Sequence, residues 1–230
     1  MKRLREIGAV FIGEDAFERR RDGAYRDAAC VRPVVERTGL TRFDELERLP
    51  YRATSQAAGY DEVSRLPVSI LLENVRSMYN VGSFFRTADG AGIENLYLCG
   101  ITGRPPKNAI SKTALGAEET VPWVHSWDAV PVIAGLRDRG FEIAAIETSV
   151  RSVDLFDWTP RFPVCVLFGH EVDGLRPEVQ SLADTHVRIP MLGTKHSLNV
   201  ATAGGIVVYE LLRKYRALVS RTPTKDEGAR

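Results

Sequence analysis

The sequence has few cysteines and few histidines. Its 230 residues include Cys30, Cys99 and Cys165, an odd number with no C-x-x-C spacing. This argues against a disulfide framework and a zinc site, and it predicts buried, unpaired thiols. The histidines also lack the spacing of metal ligands, so we expect no bound metal.

Long apolar runs are missing as well. No stretch approaches the roughly 18 apolar residues that a membrane-spanning helix needs. The first residues, MKRLREIGAVFIGEDAF, begin basic but carry Glu and Asp inside what would be the apolar part of a signal peptide. These features argue against a membrane or secreted protein and predict a cytoplasmic one.

The sequence has no excess charge of one sign. It holds 31 Lys and Arg against 30 Asp and Glu, a net charge of +1 at pH 7. A dedicated nucleic-acid domain usually has a strong basic excess, so total charge gives no support for nucleic-acid binding. The run ERRRD at residues 18–22 accordingly predicts a solvated helix face rather than an RNA clamp.

Short apolar runs alternate with amphipathic stretches from about residue 68. Strand-like runs include VSILLE, NLYLCG, EIAAIE and VCVLFG, and helical stretches such as DAVPVIAGLRDRG lie between them. This alternation is typical of a parallel sheet with helices on both faces. We expect an α/β domain over 68–216, a mostly helical N-terminal extension over 1–67 and a polar, disordered tail over 217–230.

Ligands of α/β proteins bind beyond the carboxyl ends of the strands, which draws attention to YNVGSFFRTADG, just after VSILLE. This stretch contains Asn80, Gly82 and Arg86. A helix is predicted by an apolar stripe at helical spacing, formed by Val81, Phe84, Phe85 and Ala88. Arg86 lies roughly 140° round from Val81, off that stripe. Taken alone, it is best explained as a solvated Arg on a surface helix.

Two further groups follow later strand-like runs. In VLFGHEVDGLRPEV, a strand ends at Gly169, Glu171 follows, and Pro177 suits the first turn of a helix. In IPMLGTKHSLNVATAGG, Ser197 and Asn199 stand where a helix begins, and helix capping explains them about as well as a functional role. The glycines of the former group allow backbone to approach a ligand, and the small residues of the latter permit close helix packing.

The usual nucleotide-binding signatures are absent. The sequence contains neither G-x-G-x-x-G after its first strand nor G-x-x-x-x-G-K-[ST], and it lacks the nucleophile elbow G-x-S-x-G. These absences disfavour a Rossmann dehydrogenase, an ordinary Rossmann-type methyltransferase, a P-loop enzyme and an α/β-hydrolase.

In their order, the three groups resemble the three motifs of the SpoU (TrmH) family of RNA 2′-O-ribose methyltransferases, within the SPOUT superfamily. N-x-G-x-x-x-R-T-A occurs over 80–88, G-x-E-x-x-G-[LM] over 169–175 and I-P-M-x-G-x-x-x-S-L-N-V over 189–200. The resemblance covers residues 68 to about 216. It implies a C-terminal trefoil knot, a homodimer with its active site at the subunit interface, and tRNA or rRNA rather than DNA as the partner.

The resemblance also implies S-adenosylmethionine as the cofactor. The cofactor positions carry over to four residues: Gly169, Ile189, Leu198 and, from a looser motif, Thr148. The catalytic positions carry over to five: Asn80, Arg86, Glu171, Ser197 and Asn199.

These positions imply a division of roles. Arg86 acts at the substrate phosphate and 2′-hydroxyl, and because a guanidinium is effectively always protonated, orientation and charge stabilisation suit it better than general-base catalysis. Asn80 holds the first motif and the ribose, and Glu171 organises the site. Ser197 and Asn199 position Arg86 and the nucleotide.

Two other functions stay open from sequence. One is a SPOUT enzyme that methylates a base, against which the complete first motif speaks. The other is a catalytically silent RNA-binding protein of the same fold, against which the intact Arg86, Glu171 and Asn199 speak.

Overall fold

A computed structural model describes residues 65–149 and 152–220. Within them lie seven strands, β1 (Leu66–Glu73), β2 (Ile93–Cys99), β3 (Trp123–Ser126), β4 (Glu142–Ile146), β5 (Val153–Asp154), β6 (Val164–Phe168) and β7 (Thr185–Arg188). Six helices accompany them, α1 (Met78–Ala91), α2 (Asn108–Ala114), α3 (Ala117–Thr120), α4 (Ala129–Asp138), α5 (Pro177–Ser181) and α6 (Val200–Val219). The strands form one sheet in the order β3-β2-β1-β6-β4-β7-β5, and all neighbouring pairs are parallel.

The sheet has an apolar core on each face. Successive side chains of a strand point to opposite faces, and in β1 Val68, Ile70 and Leu72 pack in the core that includes α1, α2 and α6. Leu71, between them, packs instead in the core that includes α4 and α5. The predicted α/β fold with helices on both faces is thus confirmed.

Helix α1 is the element that carries the first motif. The Ser77 side chain caps its N-terminus by accepting a hydrogen bond from the backbone N–H of Asn80, at 3.3 Å. The predicted apolar stripe is buried against the sheet, and Arg86 is exposed, as the helical spacing indicated. The helix begins directly after the carboxyl end of β1, so its first turn lies at the sheet edge where ligands are expected.

Helix α6 begins at the third motif and packs across α1 through a glycine. A Cβ atom at Gly204 would lie 2.2 Å from Cε1 of Phe84, so the missing side chain makes room for that ring. At the next residue, Gly205, a Cβ atom would meet nothing within 4 Å. The small residues of α6 therefore serve packing inside the subunit at Gly204, whereas Gly205 faces open space.

We expect Gly204→Ala to lower the free energy of unfolding by about 1–3 kcal/mol, because the added methyl group forces Phe84 to move within a packed core. Gly205→Ala is the matched control, and we expect it to be neutral or stabilising by about 0.5–1 kcal/mol, since alanine favours a helix and has room. Urea unfolding of both variants measures the difference. Equal effects at the two positions would contradict the packing assigned to Gly204.

A largely buried lysine holds the C-terminal half of α6. The Nζ of Lys214 donates to the carbonyl oxygen of Leu155, at 2.7 Å, and to that of Trp158. Its side chain is 13% exposed and lies 3.6 Å from Glu210. Burial lowers the pKa of Lys214, and the carboxylate of Glu210 partly opposes this. These contacts fix the helix that directly follows the third motif.

Several expectations have definite outcomes in the fold. Cys99 and Cys165 are buried and unpaired, and burial raises the pKa of both thiols. Among the residues described, no helix has the length and apolar content needed to cross a membrane.

Other expectations stay predictions. Cys30, the run at 18–22, most of the N-terminal extension over 1–67 and most of the tail over 217–230 lie outside the described residues. The division into domains and the trefoil knot stay predictions too. The described residues hold no group of three or more side chains that could bind a metal, and the absence of a metal likewise stays a prediction.

Candidate active site

The three motifs meet at the carboxyl edge of the sheet. Strands β1, β6, β4 and β7 are consecutive neighbours, and the first, second and third motifs follow β1, β6 and β7 respectively. In a parallel sheet the carboxyl ends of all strands share one edge, so these segments are brought together although they are far apart in sequence.

Glu171 joins the second motif to the start of α1. Its Oε2 accepts from the backbone N–H of Arg76 at 3.1 Å, and its Oε1 accepts from the N–H of Ser77 at 3.0 Å. The same Oε1 accepts from Nδ2 of Asn80 at 3.1 Å. Partial burial alone would raise the pKa of Glu171, but these hydrogen bonds outweigh it and lower the pKa. The residue is therefore a carboxylate at neutral pH, placed where the α1 dipole favours negative charge.

Asn80 continues the link to the third motif. Its Oδ1 accepts a hydrogen bond from Nδ2 of Asn199 at 3.2 Å, while its Nδ2 is used by Glu171. Asn199 is the N-cap of α6, and its Oδ1 accepts from the N–H groups of Ala201 and Thr202 at 3.0 and 3.3 Å. Capping and a role in the site are thus combined in Asn199. The three side chains form one hydrogen-bonded chain, which we call the Glu171–Asn80–Asn199 link.

A cavity of about 530 Å³ opens beside this link. It is lined by all four predicted cofactor positions, Thr148, Gly169, Ile189 and Leu198, and by Glu171, Ser197 and Asn199. Its volume lies within the range typical of small-molecule sites, about 300–1,000 Å³. Seven of the nine predicted site residues therefore share one cavity. Asn80 and Arg86 do not line it.

The glycine at the end of β6 allows the second motif to fold back on itself. A Cβ atom at Gly169 would lie 2.2 Å from the backbone N of Leu175, and His170 and Gly174 exchange backbone hydrogen bonds at 2.9 and 3.0 Å. Gly174 has a φ of +71°, which residues with a side chain rarely adopt. The close approach that Gly169 permits is thus to the chain's own backbone, and this shapes one wall of the cavity.

Gly82 of the first motif also has a packing role. A Cβ atom there would lie 1.9 Å from Oγ1 of Thr113 and 2.5 Å from the carbonyl oxygen of Ile110. Its missing side chain allows α1 and α2 to touch. The sequence pattern places Gly82 in a functional motif, and the structure gives it a role in positioning the helix that carries Asn80 and Arg86.

Arg86 and Ser197 are exposed and stand apart from the link. Neither side chain makes a hydrogen bond or an ion pair with another residue in 65–149 or 152–220. The predicted positioning of Arg86 by Ser197 and Asn199 is therefore absent within a single chain. The Arg86 guanidinium is left open to a partner molecule.

Glu147 is one of the cavity residues that the sequence analysis did not predict. Glu147 directly follows β4, lines the cavity and accepts a hydrogen bond from the N–H of Leu175 at 3.1 Å through its Oε1. It thereby fixes the end of the second motif. Its position directly beyond the carboxyl end of a strand was the signal that could have found it.

Comparison with known proteins identifies the class. The model of the SpoU rRNA methylase family matches residues 67–209, more than half of the chain. The chain therefore belongs to the SpoU rRNA methylase family, a family of RNA methyltransferases. A relative from Staphylococcus epidermidis, named for the TrmH family of tRNA/rRNA methyltransferases, is 24% identical over 94% of this chain and 92% of its own.

Solved structures agree with this assignment. The A. aeolicus TrmH/SpoU tRNA modifying enzyme has a TM-score of 0.61 and 29% identity, over 71% of this chain and 84% of its own. The methyltransferase AviRb from Streptomyces viridochromogenes, in complex with AdoMet, has a TM-score of 0.60 and 26% identity, over 65% of this chain. The match spans 60% of AviRb, less than two thirds of that protein.

Proposed function

We propose that the protein transfers a methyl group from S-adenosylmethionine to a ribose 2′-hydroxyl of tRNA or rRNA. The observation that carries this proposal is the Glu171–Asn80–Asn199 link, which joins one polar residue from each family motif beside a cavity of suitable size. In this proposal residues 68–216 are the methyltransferase domain.

The cavity suits S-adenosylmethionine in size and in chemistry. Apolar side chains such as Ile189 and Leu198 line it together with the hydroxyl of Thr148 and the carboxylate of Glu147. Apolar surface can hold the adenine, and a carboxylate favours a cationic sulfonium nearby. Two neighbours support this cofactor, because AviRb and an rRNA methyltransferase from Sinorhizobium meliloti are solved with AdoMet bound.

The cofactor, when bound, supplies an electrophilic methyl group on a sulfonium. The chain's own residues must then align a 2′-hydroxyl, whose proton passes to solvent, and stabilise the negative charge that develops on its oxygen. We assign this role to Arg86, whose exposed guanidinium makes no hydrogen bond or ion pair with the described residues. Asn80 and Glu171 fix the helix that carries Arg86, and Asn199 fixes the third motif against that helix.

A homodimer completes the site in this proposal. Arg86 does not line the cavity of its own chain, so we assign it to the cavity of a second copy. Exposed side chains on α6 include Ile206 and Tyr209, and Tyr209 lies near α1, since a Cβ atom at Gly90 would be 3.0 Å from its hydroxyl. This combined face of α1 and α6 offers apolar area for the contact.

The alternatives from sequence make different forecasts. A SPOUT base methyltransferase would place the methyl group on a base, and a silent RNA-binding protein would transfer none. Ribose methylation is favoured because the first motif is complete: it supplies Asn80 to the Glu171–Asn80–Asn199 link and Arg86 to the same helix. The location in the cytoplasm stays a prediction.

We expect one S-adenosylmethionine to bind per chain in a calorimetric titration of the cofactor-free protein. Leu198→Asp should abolish most of this binding, because it replaces an apolar side chain of the cavity lining with a charged one and so removes surface assigned to the adenine. Leu192→Asp is the matched control in the same loop, since Leu192 is fully exposed and lies outside the cavity lining. Saturable binding that is weakened equally by both substitutions, or no binding at all, would contradict the assigned pocket.

A further inference from the structure

A second surface lies on the same edge of the sheet as the candidate active site. Trp127 directly follows β3 and is 62% exposed, and Ile101, just after β2, is 64% exposed. Arg104 and the exposed Lys107 lie in the segment that follows Ile101. We call Ile101, Arg104, Lys107 and Trp127 the β3-edge surface.

The tryptophan on this surface is held by a defined scaffold. The rings of Trp127 and His125 meet edge to face, with centroids 4.9 Å apart at 88°. The Cζ of Arg104 lies 6.0 Å from the centroid of the indole ring. Both contacts leave most of the indole open, and such an arrangement fixes the ring without burying it.

The hydrogen bonds beneath the ring keep Arg104 in place. Nη1 of Arg104 lies 3.1 Å from Nδ1 of His125, and Nε2 of His125 lies 3.2 Å from the carbonyl oxygen of Gly100. Because a guanidinium only donates, Nδ1 accepts and Nε2 carries the hydrogen that is donated to Gly100. Burial, followed by the charge of Arg104, lowers the pKa of His125, in agreement with a neutral ring.

The β3-edge surface and the active site are close enough to contact one ligand. The strands β3, β2, β1 and β6 are consecutive, and neighbouring strands lie about 4.8 Å apart, so the ends of β3 and β6 are separated by roughly 14 Å. Arg76, exposed after β1, lies between them. Lys107 and Arg104, after β2, and Arg76, after β1, supply positive charge at the carboxyl ends of these strands, and this charge complements a phosphate backbone.

We propose that Trp127 is a stacking platform for an unpaired base of the RNA that the active site modifies. The indole face supplies the stacking surface, and Arg104 with Lys107 contacts the neighbouring phosphates. Aromatic rings flanked by arginines recognise single-stranded RNA in this manner, since every base has a face to stack. The inference rests on the proposed function, which supplies the RNA.

Binding of an oligo(A) of about 12 nucleotides to the full chain tests the platform. We expect Trp127→Ala to weaken binding about 10-fold and Trp127→Phe to retain most of it, because phenylalanine still stacks. Phe156→Ala is the matched control, since Phe156 is a similarly exposed aromatic residue that follows β5, the outermost strand on the side of the sheet away from β3. Equal affinity of Trp127→Ala and Phe156→Ala would overturn the proposal.

A second readout separates this proposal from the proposed function. In methyl transfer to total RNA, Trp127→Ala should raise KM for RNA about 10-fold and leave kcat nearly unchanged, because the platform holds RNA and takes no part in the chemistry. Normal methyl transfer with unchanged RNA affinity would overturn the platform alone. If the wild type transfers no methyl group but Trp127→Ala still weakens oligo(A) binding, the proposed function is overturned and the stacking platform is supported.

Discussion

Arg86→Lys should lower the single-turnover rate of methyl transfer by roughly two or more orders of magnitude. Lysine keeps the charge but loses the planar fork that can hold a phosphate and a developing alkoxide together. The size of the effect follows from the loss of one oxyanion-stabilising donor. Single-turnover transfer to an identified RNA measures it. Affinity for S-adenosylmethionine and the melting temperature should barely change, because Arg86 is exposed, does not line the cavity of its own chain and is assigned to the 2′-hydroxyl rather than to the cofactor.

A well-folded Arg86→Lys variant with near wild-type turnover would return Arg86 to the role of a solvated surface residue. Mixing Arg86→Lys with Leu198→Asp tests whether Arg86 serves the cavity of the second copy. Random mixing of two inactive homodimers should restore about a quarter of wild-type activity, because half of the dimers then contain one complete site of two. No restored activity would contradict the shared site.

Glu171→Ala should be the next most damaging change, lowering turnover by about 10- to 100-fold. The substitution removes the acceptor for the N–H groups of Arg76 and Ser77 and for Nδ2 of Asn80. The start of α1 can then shift, and displacing a catalytic group by about 1 Å costs on the order of 100-fold in rate. Methyl-transfer rates at saturating cofactor measure the effect.

Glu178→Ala is the matched control for Glu171, since its carboxylate is exposed and only approaches Arg176, at 3.7 Å. It should retain normal turnover. The pKa of Glu171 is lowered in the folded protein, so the link is fully formed above the ordinary pKa of a glutamate and weakens as the pH falls through the lowered value. Equal turnover of the two variants would remove the link from the mechanism.

Much of the fold was predictable because the local sequence patterns agree with the way each element is buried in the folded chain. The buried strands are continuous apolar runs in the sequence, since helices cover both faces of the sheet. The apolar stripe of α1 is buried, as its spacing indicated. Pro177 begins α5, where the first backbone N–H has no hydrogen-bond partner within the helix and is not needed. Asn199 caps α6. These features depend on a few neighbouring residues, so the sequence displays them directly.

The rest depends on contacts between distant segments. Whether Gly82 and Gly204 serve a ligand, a dimer or internal packing is decided by Thr113 and Phe84, which lie on other helices. The two hydrogen bonds of the Glu171–Asn80–Asn199 link join residues 91 and 119 positions apart, and the family resemblance, rather than local pattern, pointed to its members. The place of Arg86 outside its own cavity has no local signature at all.

The central claim is tested most directly by identifying the methylated product. Total RNA from cells lacking the gene is incubated with the purified chain and isotopically labelled S-adenosylmethionine, digested to nucleosides and separated by mass spectrometry. The proposed function predicts that the label appears on the ribose as a 2′-O-methyl nucleoside and is lost with Arg86→Lys. Label on a base, or no label from a protein that binds the cofactor and RNA, would contradict it.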